Sequence, residues 1–300
     1  MNFFSTLKKV YQKNKKKINK IREYRNQQIS TSEEGNDLIK KIICNNEPAA
    51  IARIGETELN IINEYIKGGG YSYKTKEFAY RNAGIFPNDI NGLNEFSEIF
   101  IDSLKNIDTF GVWYNKGEGK IIRSLDIKPN LMELRSLEPY YFDKPWSALL
   151  KNKRVLVIHP FEYSIKNQYK RYDKLFKNQD ILLEFKLITI KAVQSISGND
   201  TSHKSWSGSL NYMKMKISEI DFDIAIIGAG AYGLPLASYI KDLGKIAIHM
   251  GGATQLLFGI KGARWDNHEI ISKLYNEYWV RPAEIEMIKD ADKVEGATYW

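Results

Sequence analysis

The sequence predicts an α/β protein with a Rossmann-like parallel sheet and flanking helices. The main observation lies after residue 150, where short apolar runs alternate with segments of helical spacing, at 155–158, 185–190, 224–227 and 246–248. Buried parallel strands are continuous apolar runs, and right-handed helical crossovers join them. The composition, 43% hydrophobic and 27% charged over 300 residues, is that of a folded chain with a sizeable core.

The first half predicts the same alternation less regularly. Hydroxyl residues followed by acids at 30–34 favour a helix that runs to about Cys44, whose side chain we expect to be buried. Residues 49–52 are typical of a strand, and the apolar positions after them have helical spacing as far as Gly68-Gly69-Gly70. Later segments predict a loop over 71–87, a helix over 93–104, a strand over 108–113 and, in the second half, a helix over 164–176.

The net charge of +8 belongs to the first 28 residues. They hold nine of the 44 basic residues and one of the 36 acidic residues, so residues 29–300 balance at 35 of each sign. A basic helix is predicted there, with Phe3, Phe4 and Leu7 on one face; it either lies on an anionic membrane surface or is a solvated tail. The neutral remainder gives no reason to expect nucleic-acid binding. We therefore divide the chain into a basic amphipathic tail, 1–28, and one domain, 29–300, with halves 29–150 and 151–300.

The sequence also bears on the compartment. It holds a single cysteine and no run of 18 apolar residues, so neither an intrachain disulfide nor a transmembrane helix is expected. The N-terminus lacks the apolar segment and the cleavage site of a signal peptide. These features favour a cytoplasmic protein, peripheral on the inner membrane face if the tail binds lipid.

The first candidate site is the junction between the strand at 49–52 and its helix, Arg53-Ile54-Gly55-Glu56-Thr57-Glu58. Open α/β sheets bind ligands at the C-terminal ends of their strands. Glu56 and Glu58 can converge there on one hard cation, and Arg53 can bind a phosphate. The alternative is a helix that begins with acids in its first turn, which the helix dipole favours.

A glycine-rich turn follows the strand at 224–227. Gly228-Ala229-Gly230-Ala231-Tyr232-Gly233 matches G-x-G-x-x-G, whose glycines let the backbone approach a pyrophosphate at a helix N-terminus. The next strand ends in His249-Met250-Gly251-Gly252 and not in the acid that would bind a ribose. A phosphate-binding turn is therefore favoured over a nicotinamide or flavin site. The alternative is that the glycines only allow tight packing of helix on sheet.

Other polar residues follow neighbouring strands. His159, Glu162 and His249 could bind a sugar or, as two histidines and an acid, a transition metal, although no H-x-H spacing supports the metal. Gly251-Gly252 is a second turn suited to a phosphate. Lys261, Arg264 and Trp265 offer cations and a stacking face to a nucleotide. No nucleophile elbow and no Walker A loop is found, which disfavours a Ser-His-Asp hydrolase.

The stretch Arg53-Ile54-Gly55-Glu56-Thr57-Glu58-Leu59 resembles the Arg-Phe-Gly-Asp-Gly-Glu-Leu signature of the GT-D-fold bacterial glycosyltransferases. Residues 157–162, 227–235 and 249–265 resemble further blocks of GT-D-like proteins, many of them from polysaccharide loci, so the likeness covers roughly 35–300. Glu58 matches the Glu of the signature, whereas Glu56 stands where the family has Asp. The motif of this chain is therefore Glu-x-Glu.

The resemblance implies a GT-D-type fold and transfer of a sugar from a UDP-sugar or another NDP-sugar. The acceptor would be a glycan or a lipid-linked glycan, in surface polysaccharide or glycoprotein glycan synthesis. Mn²⁺ or Mg²⁺ would bind the catalytic pair Glu58 and Glu56. The nucleotide-sugar would contact Arg53, Gly55, Asn82, His159, Glu162, Gly228, Gly230, His249, Gly251, Gly252 and Arg264. Two other functions stay open, an NAD(P)- or flavin-dependent oxidoreductase that uses residues 228–233 and a catalytically inactive glycan-binding scaffold.

Overall fold

One parallel sheet of seven strands organises the structure. The computed structural model describes residues 18–20, 22–199, 202–289 and 298–300. The strands are β1 (Ala49–Ala52), β2 (Thr109–Val112), β3 (Asn130–Glu133), β4 (Arg154–His159), β5 (Lys186–Lys191), β6 (Ile224–Ile227) and β7 (Ile246–His249). Their order is β3-β2-β1-β7-β6-β4-β5, and every neighbouring pair is parallel. The predicted α/β class is confirmed, and the pairing of β1 with β7 joins the two halves of the chain in one sheet.

Helices cover both faces of this sheet. They are α1 (Ser32–Asn45), α2 (Glu56–Ile66), α3 (Tyr73–Arg81), α4 (Ile90–Lys105), α5 (Glu118–Ser124), α6 (Glu162–Tyr169), α7 (Trp206–Ser218), α8 (Gly233–Asp242) and α9 (Thr254–Leu257). Successive strand residues point to opposite faces, so each strand feeds two apolar cores. In β1, Ala50 and Ala52 face the core that α2, α4 and α8 cover, while Ile51 faces the core that α1 and α9 cover.

The local signals at α1 explain where this helix begins and which face it buries. Thr31 is the N-cap: its hydroxyl accepts from the Glu34 N–H at 3.3 Å, and the Glu34 carboxylate accepts from the Thr31 N–H at 2.8 Å. A cap of this kind contributes about 1 kcal/mol. The predicted helix is confirmed, but the expected burial of Cys44 is wrong because the core-facing positions are Ile39 and Ile43 and Cys44 is exposed.

Two boundaries differ from the sequence prediction. Residues 71–87, predicted to be a loop, contain α3, whose N-cap Ser72 accepts from the Thr75 N–H at 3.2 Å. The buried positions of α3 are Thr75 and Ala79, so no apolar stripe reveals the helix. The helix predicted over 164–176 corresponds to α6, which ends at Tyr169.

The described part of the N-terminal segment packs against the loop after β2. Asn19 donates to the Tyr114 carbonyl at 2.9 Å, and the Tyr24 hydroxyl donates to the Glu118 carboxylate at 2.9 Å. Glu23 accepts from the Lys120 N–H at 3.2 Å. The predicted apolar stripe at Phe3, Phe4 and Leu7 lies outside the described residues, so the membrane-binding tail stays a prediction. Among the described residues, no helix is both long enough and apolar enough to span a bilayer.

Candidate active site

The candidate site lies where the chain changes direction in the sheet. β1 and β7 are neighbours, but the helices that follow them pack on opposite faces: α2 belongs to one core and α9 to the other. The loops after the two strands therefore separate and leave a crevice at their C-terminal ends. Such a switch point is where open α/β sheets bind ligands.

Arg53, the first residue after β1, is held from two sides in this crevice. Its guanidinium carbon lies 4.9 Å from the centroid of the Trp113 ring, which follows β2. Its other face lies against Gly251 after β7, where a Cβ would clash with the guanidinium and where φ is +67°. A glycine at 251 is therefore needed both for the left-handed turn and for the close approach of Arg53.

A cleft of about 540 Å³ opens beside Arg53. We call it the acidic cleft, because three glutamates line it: Glu56, Glu58 and Glu64. The predicted site residues that line it are Arg53, Gly55, Glu56, Glu58, Asn82, Gly230 and Arg264. The fold thus brings together residues from the turn after β1, the end of α3, the turn after β6 and the C-terminal region.

The two predicted catalytic acids differ in their surroundings. Gly55 is the N-cap of α2, and the Glu58 carboxylate folds back over it, so that a Cβ at 55 would clash with Glu58. Glu58 is half-buried, whereas Glu56 at the first helical position is exposed. Glu64 has a structural task, because it accepts from the Ser72 N–H at 2.9 Å and from the Thr75 hydroxyl at 2.8 Å.

A second cleft of about 580 Å³ adjoins the first and shares Arg53, Trp113 and Arg264 with it. We call it the aromatic cleft; its other lining residues include Glu133, Arg135, Glu138, Tyr141, Gly252, Trp265 and His268. Burial raises the pKa of Glu138 to about 7, although a hydrogen bond from the Tyr140 hydroxyl, at 3.1 Å, and the charges of three arginines act in the opposite direction. A carboxyl group that titrates near neutrality therefore lies at this cleft.

Comparison with known proteins decides the family. The model of the GT-D-like family, described as a GT-D fold-like domain, matches residues 30–257. The chain belongs to the GT-D-like family. This match confirms the resemblance to GT-D-fold glycosyltransferases and supports a transferase as the class of the enzyme.

Solved structures of the same kind are similar to this GT-D-like protein. A glycosyltransferase (DUF1792) from Streptococcus sanguinis has 11% identity and a TM-score of 0.47, over 86% of this chain and 96% of that one. A second DUF1792 structure, described as a distinct glycosyltransferase fold, has 10% identity and a TM-score of 0.47, over 90% and 96% of the two chains. No match was found among curated proteins.

Two predicted ligand contacts of the GT-D-like protein, His159 and His249, lie away from both clefts. They are 3% and 2% exposed, and burial lowers the pKa of each to about 3, so both rings are neutral. His159 accepts from the Phe161 N–H at 2.9 Å, and His249 donates to the Ile227 carbonyl at 3.2 Å. Both rings are buried and line neither cleft, so the structure does not bring them to the candidate site.

The histidine rings also occupy the space beside two motif glycines. A Cβ at Gly228 would lie 2.5 Å from His159 Cδ2, and a Cβ at Gly233 would clash with the His249 ring. Gly230 differs, because it lines the acidic cleft and has open space around it. Gly228 therefore packs against His159 and lines neither cleft.

Glu162 is likewise not brought to either cleft. It begins α6 and accepts from the Thr189 hydroxyl at 2.6 Å and from Lys166 Nζ at 2.7 Å. Burial alone would raise its pKa, but these hydrogen bonds outweigh the burial and hold the pKa below its ordinary value. Within the described ranges, no group of three or more His, Cys, Asp or Glu side chains could hold a metal ion, so a transition metal bound by His159, His249 and Glu162 together lacks a site.

Sequence reasoning missed three residues of the clefts. Trp113 is the last residue of the strand predicted over 108–113, and its position beside Arg53 could have been inferred from that. Glu138 lies between two 3₁₀ turns, Leu134–Leu137 and Pro139–Tyr141, where no periodicity signals a site. Tyr299, near the C-terminal end of the described residues, also lines the acidic cleft, and the Arg264 guanidinium carbon lies 5.0 Å from its ring centroid.

Proposed function

We propose that this GT-D-like protein transfers a sugar from a nucleotide-diphosphate sugar to a hydroxyl of a glycan or lipid-linked acceptor. The observation that carries the proposal is the convergence of Arg53, Arg264 and Glu58 on one cleft at the switch point of the sheet. Family membership supports the same chemistry.

The two arginines are suited to the diphosphate. A guanidinium presents a planar fork of donors that binds phosphate oxygens in pairs, and its charge does not titrate near neutrality. Arg53 is preorganised because Trp113 and Gly251 fix its guanidinium before any ligand arrives. In the reaction, the bond from the anomeric carbon to the diphosphate oxygen breaks, and the arginines stabilise the negative charge left on that oxygen.

Glu58, with Glu56 beside it, would hold a Mn²⁺ or Mg²⁺ ion. Two carboxylates suit a cation that takes its other ligands from the diphosphate and from water, which is the usual arrangement for Mg²⁺ at phosphate sites. When bound, the cation offsets charge on the leaving diphosphate. Glu58 is the better ligand because its carboxylate is held over Gly55, whereas Glu56 is exposed.

An oxidoreductase is the weaker candidate. A dinucleotide needs room for its pyrophosphate beside the glycines of the turn, and the His159 and His249 rings occupy that room at Gly228 and Gly233. The cleft-lining residues directly after β7 are Met250, Gly252 and Ala253, and none of these is the acid that would bind a ribose.

Thermal shift with UDP and GDP, each with and without Mn²⁺, tests the proposal, together with release of UDP from UDP-sugars. A ligand at 100 times its Kd stabilises the folded state by about 2.7 kcal/mol, so a specific site gives a clear shift. We expect a metal-dependent shift in the wild type and binding at least about tenfold weaker in Glu58→Gln, since tenfold corresponds to about 1.4 kcal/mol.

Two other results would count against a glycosyltransferase. A wild type that responds to no nucleoside diphosphate, with either metal, contradicts the proposal. Binding of UDP with no release of UDP from any UDP-sugar, in wild type and Glu58→Gln alike, favours the inactive scaffold.

A further inference from the structure

We propose that the aromatic cleft binds the acceptor and that Glu138 is the general base that takes the proton of the acceptor hydroxyl. The inference rests on the proposed function, because it assumes that the diphosphate of the donor binds at Arg53 and Arg264. It gives the aromatic cleft and Glu138, neither of which is needed to bind the donor, a role in the reaction.

The acidic cleft and the aromatic cleft share a wall. Arg53, Trp113 and Arg264 line both clefts, so a diphosphate on the two arginines lies at the boundary between them. The anomeric carbon of the donor is bonded to that diphosphate. An acceptor in the aromatic cleft can therefore reach the anomeric carbon.

The lining of the aromatic cleft combines aromatic rings with guanidinium groups. Three aromatic rings of this cleft each lie beside a guanidinium, with ring centroid to guanidinium carbon distances of 4.9 Å for Trp113 and Arg53, 4.6 Å for Tyr141 and Arg135 and 5.6 Å for Trp265 and Arg264. Pyranose rings have apolar C–H faces, which pack on aromatic rings, and hydroxyls, which accept from guanidinium N–H groups. The cleft thus suits a sugar of a glycan acceptor.

The pKa of Glu138 suits a general base. A base acts best when its pKa is near the working pH, because it is then both ionised and able to hold a proton. Burial raises the pKa of Glu138 to about 7, and Arg53 and Arg264 are among the charges that act on it. Glu138 lines the same cleft as these two arginines, and such a pKa suits proton transfer at neutral pH.

Other groups of the cleft are less suited to this task. Glu133 already accepts from the Ser32 hydroxyl at 2.8 Å and pairs with Lys20 at 3.8 Å. His268 Nδ1 accepts from the N–H groups of Ile270 and Ile271, both at 3.3 Å, so the proton of the neutral ring is on Nε2. With a proton already there, Nε2 donates and does not accept.

The step balances as a single displacement. The acceptor oxygen forms a bond to the anomeric carbon while its proton passes to a Glu138 carboxylate oxygen. The bond from the anomeric carbon to the diphosphate oxygen breaks, and its electron pair leaves with the nucleoside diphosphate. Attack from the side opposite the leaving group inverts the anomeric configuration.

The test compares binding with turnover in the full chain with Mn²⁺. The probes are UDP for binding by calorimetry and, for turnover, the UDP-sugar that the wild type cleaves fastest, with water and 4-nitrophenyl β-D-glucopyranoside as acceptors. For Glu138→Gln we expect a UDP affinity within about twofold of wild type and UDP release at least about 100-fold slower, the usual effect of losing a general base. The wild-type rate should rise with pH through about 7. This rising part of the pH–rate profile, the rate limb, should be absent in Glu138→Gln.

Two further variants keep the proposal falsifiable if Glu138→Gln is unstable. Tyr140→Phe removes a hydrogen bond that lowers the pKa of Glu138, so its rate limb should move to higher pH. Glu98→Gln is the matched control and should keep the wild-type limb, because Glu98 accepts from the Tyr65 hydroxyl at 3.0 Å but is exposed and lines neither cleft. Proton NMR of the cleavage of an α-linked UDP-sugar should show the β anomer first.

Three results would overturn the inference. They are an unchanged rate limb in Glu138→Gln, a first product with retained configuration, and a loss of UDP affinity of about tenfold with normal turnover. The last result would instead place the nucleoside in the aromatic cleft. Failure of wild-type UDP binding would contradict the proposed function and is measured separately.

Discussion

Two turns at the same edge of the sheet, those after β1 and after β6, use opposite kinds of residue. The turn after β1 carries Arg53 and Glu58 into an open cleft, while the turn after β6 places Gly228 and Gly233 against buried histidine rings. The glycine turn has the better-known motif, but most of its glycines are needed for packing. Whether such a turn serves a ligand depends on what fills the space beside its glycines.

The two turns are also connected. Gly251, after β7, lies against the Arg53 guanidinium, and the Gly251 carbonyl is among the atoms closest to a Cβ at Gly228. The glycine-rich turn after β6 therefore packs against the Gly251 turn, and Gly251 itself contacts Arg53. Three variants test this contrast between the turns after β1 and β6, and the first has the largest expected effect.

Gly233→Ala should destabilise the protein by about 1–3 kcal/mol, the usual cost of overpacking a close-packed interior. The new methyl group would clash with the His249 ring, which is 2% exposed and has little room to move. Urea denaturation measures the change. Gly70→Ala is the matched control, because no atom lies within 4 Å of its added Cβ. A stable Gly233→Ala variant with lost UDP binding would mean that the glycine serves a ligand.

His249→Gln should make the free energy of unfolding less dependent on pH. The pKa of His249 is about 3 in the folded state, against 6.5 as its ordinary value, because of burial and then the charge of Arg53. Between these values the unfolded chain binds a proton that the folded chain does not. The contribution of the neutral ring is therefore complete above pH 6.5 and is lost towards pH 3.

The size of this effect is about 1.4 kcal/mol per pH unit for one such group. Urea denaturation of wild type and His249→Gln at several values between pH 4 and 6 should show slopes that differ by about this amount. Between pH 7.5 and 8.5 the two slopes should agree, which is the internal control. Parallel slopes over the acidic range would mean that the ring is protonated in the folded protein.

Glu56→Gln should weaken metal-dependent UDP binding by only about two- to threefold, since an exposed carboxylate contributes about 0–1 kcal/mol to a charge pair. Glu56 is exposed, and Glu58 is held over Gly55, so the same change at Glu58 should have the larger effect. Calorimetry with UDP and Mn²⁺ compares the two variants directly. Equal losses would show that both acids bind the cation.

Elements with a strong local signal could be predicted from the sequence. β1, β4, β6 and β7 are continuous apolar runs, and their order along the chain was enough for the fold class and for the turn that carries Arg53 and Glu58. α3 was missed because it buries little and has polar residues at most positions. Glu138 could not be predicted as a site residue, because its burial depends on chain segments distant in sequence.

The packing of Asn19, Glu23 and Tyr24 has a consequence for where the protein can be shortened. These residues hold the loop from Tyr114 to Lys120, and Trp113 at its start holds Arg53. The family match begins at residue 30, so a chain cut there would lack this support of Arg53. A truncation that tests the predicted membrane-binding tail should therefore end before residue 18, because a cut at residue 28 would also change the surroundings of Arg53.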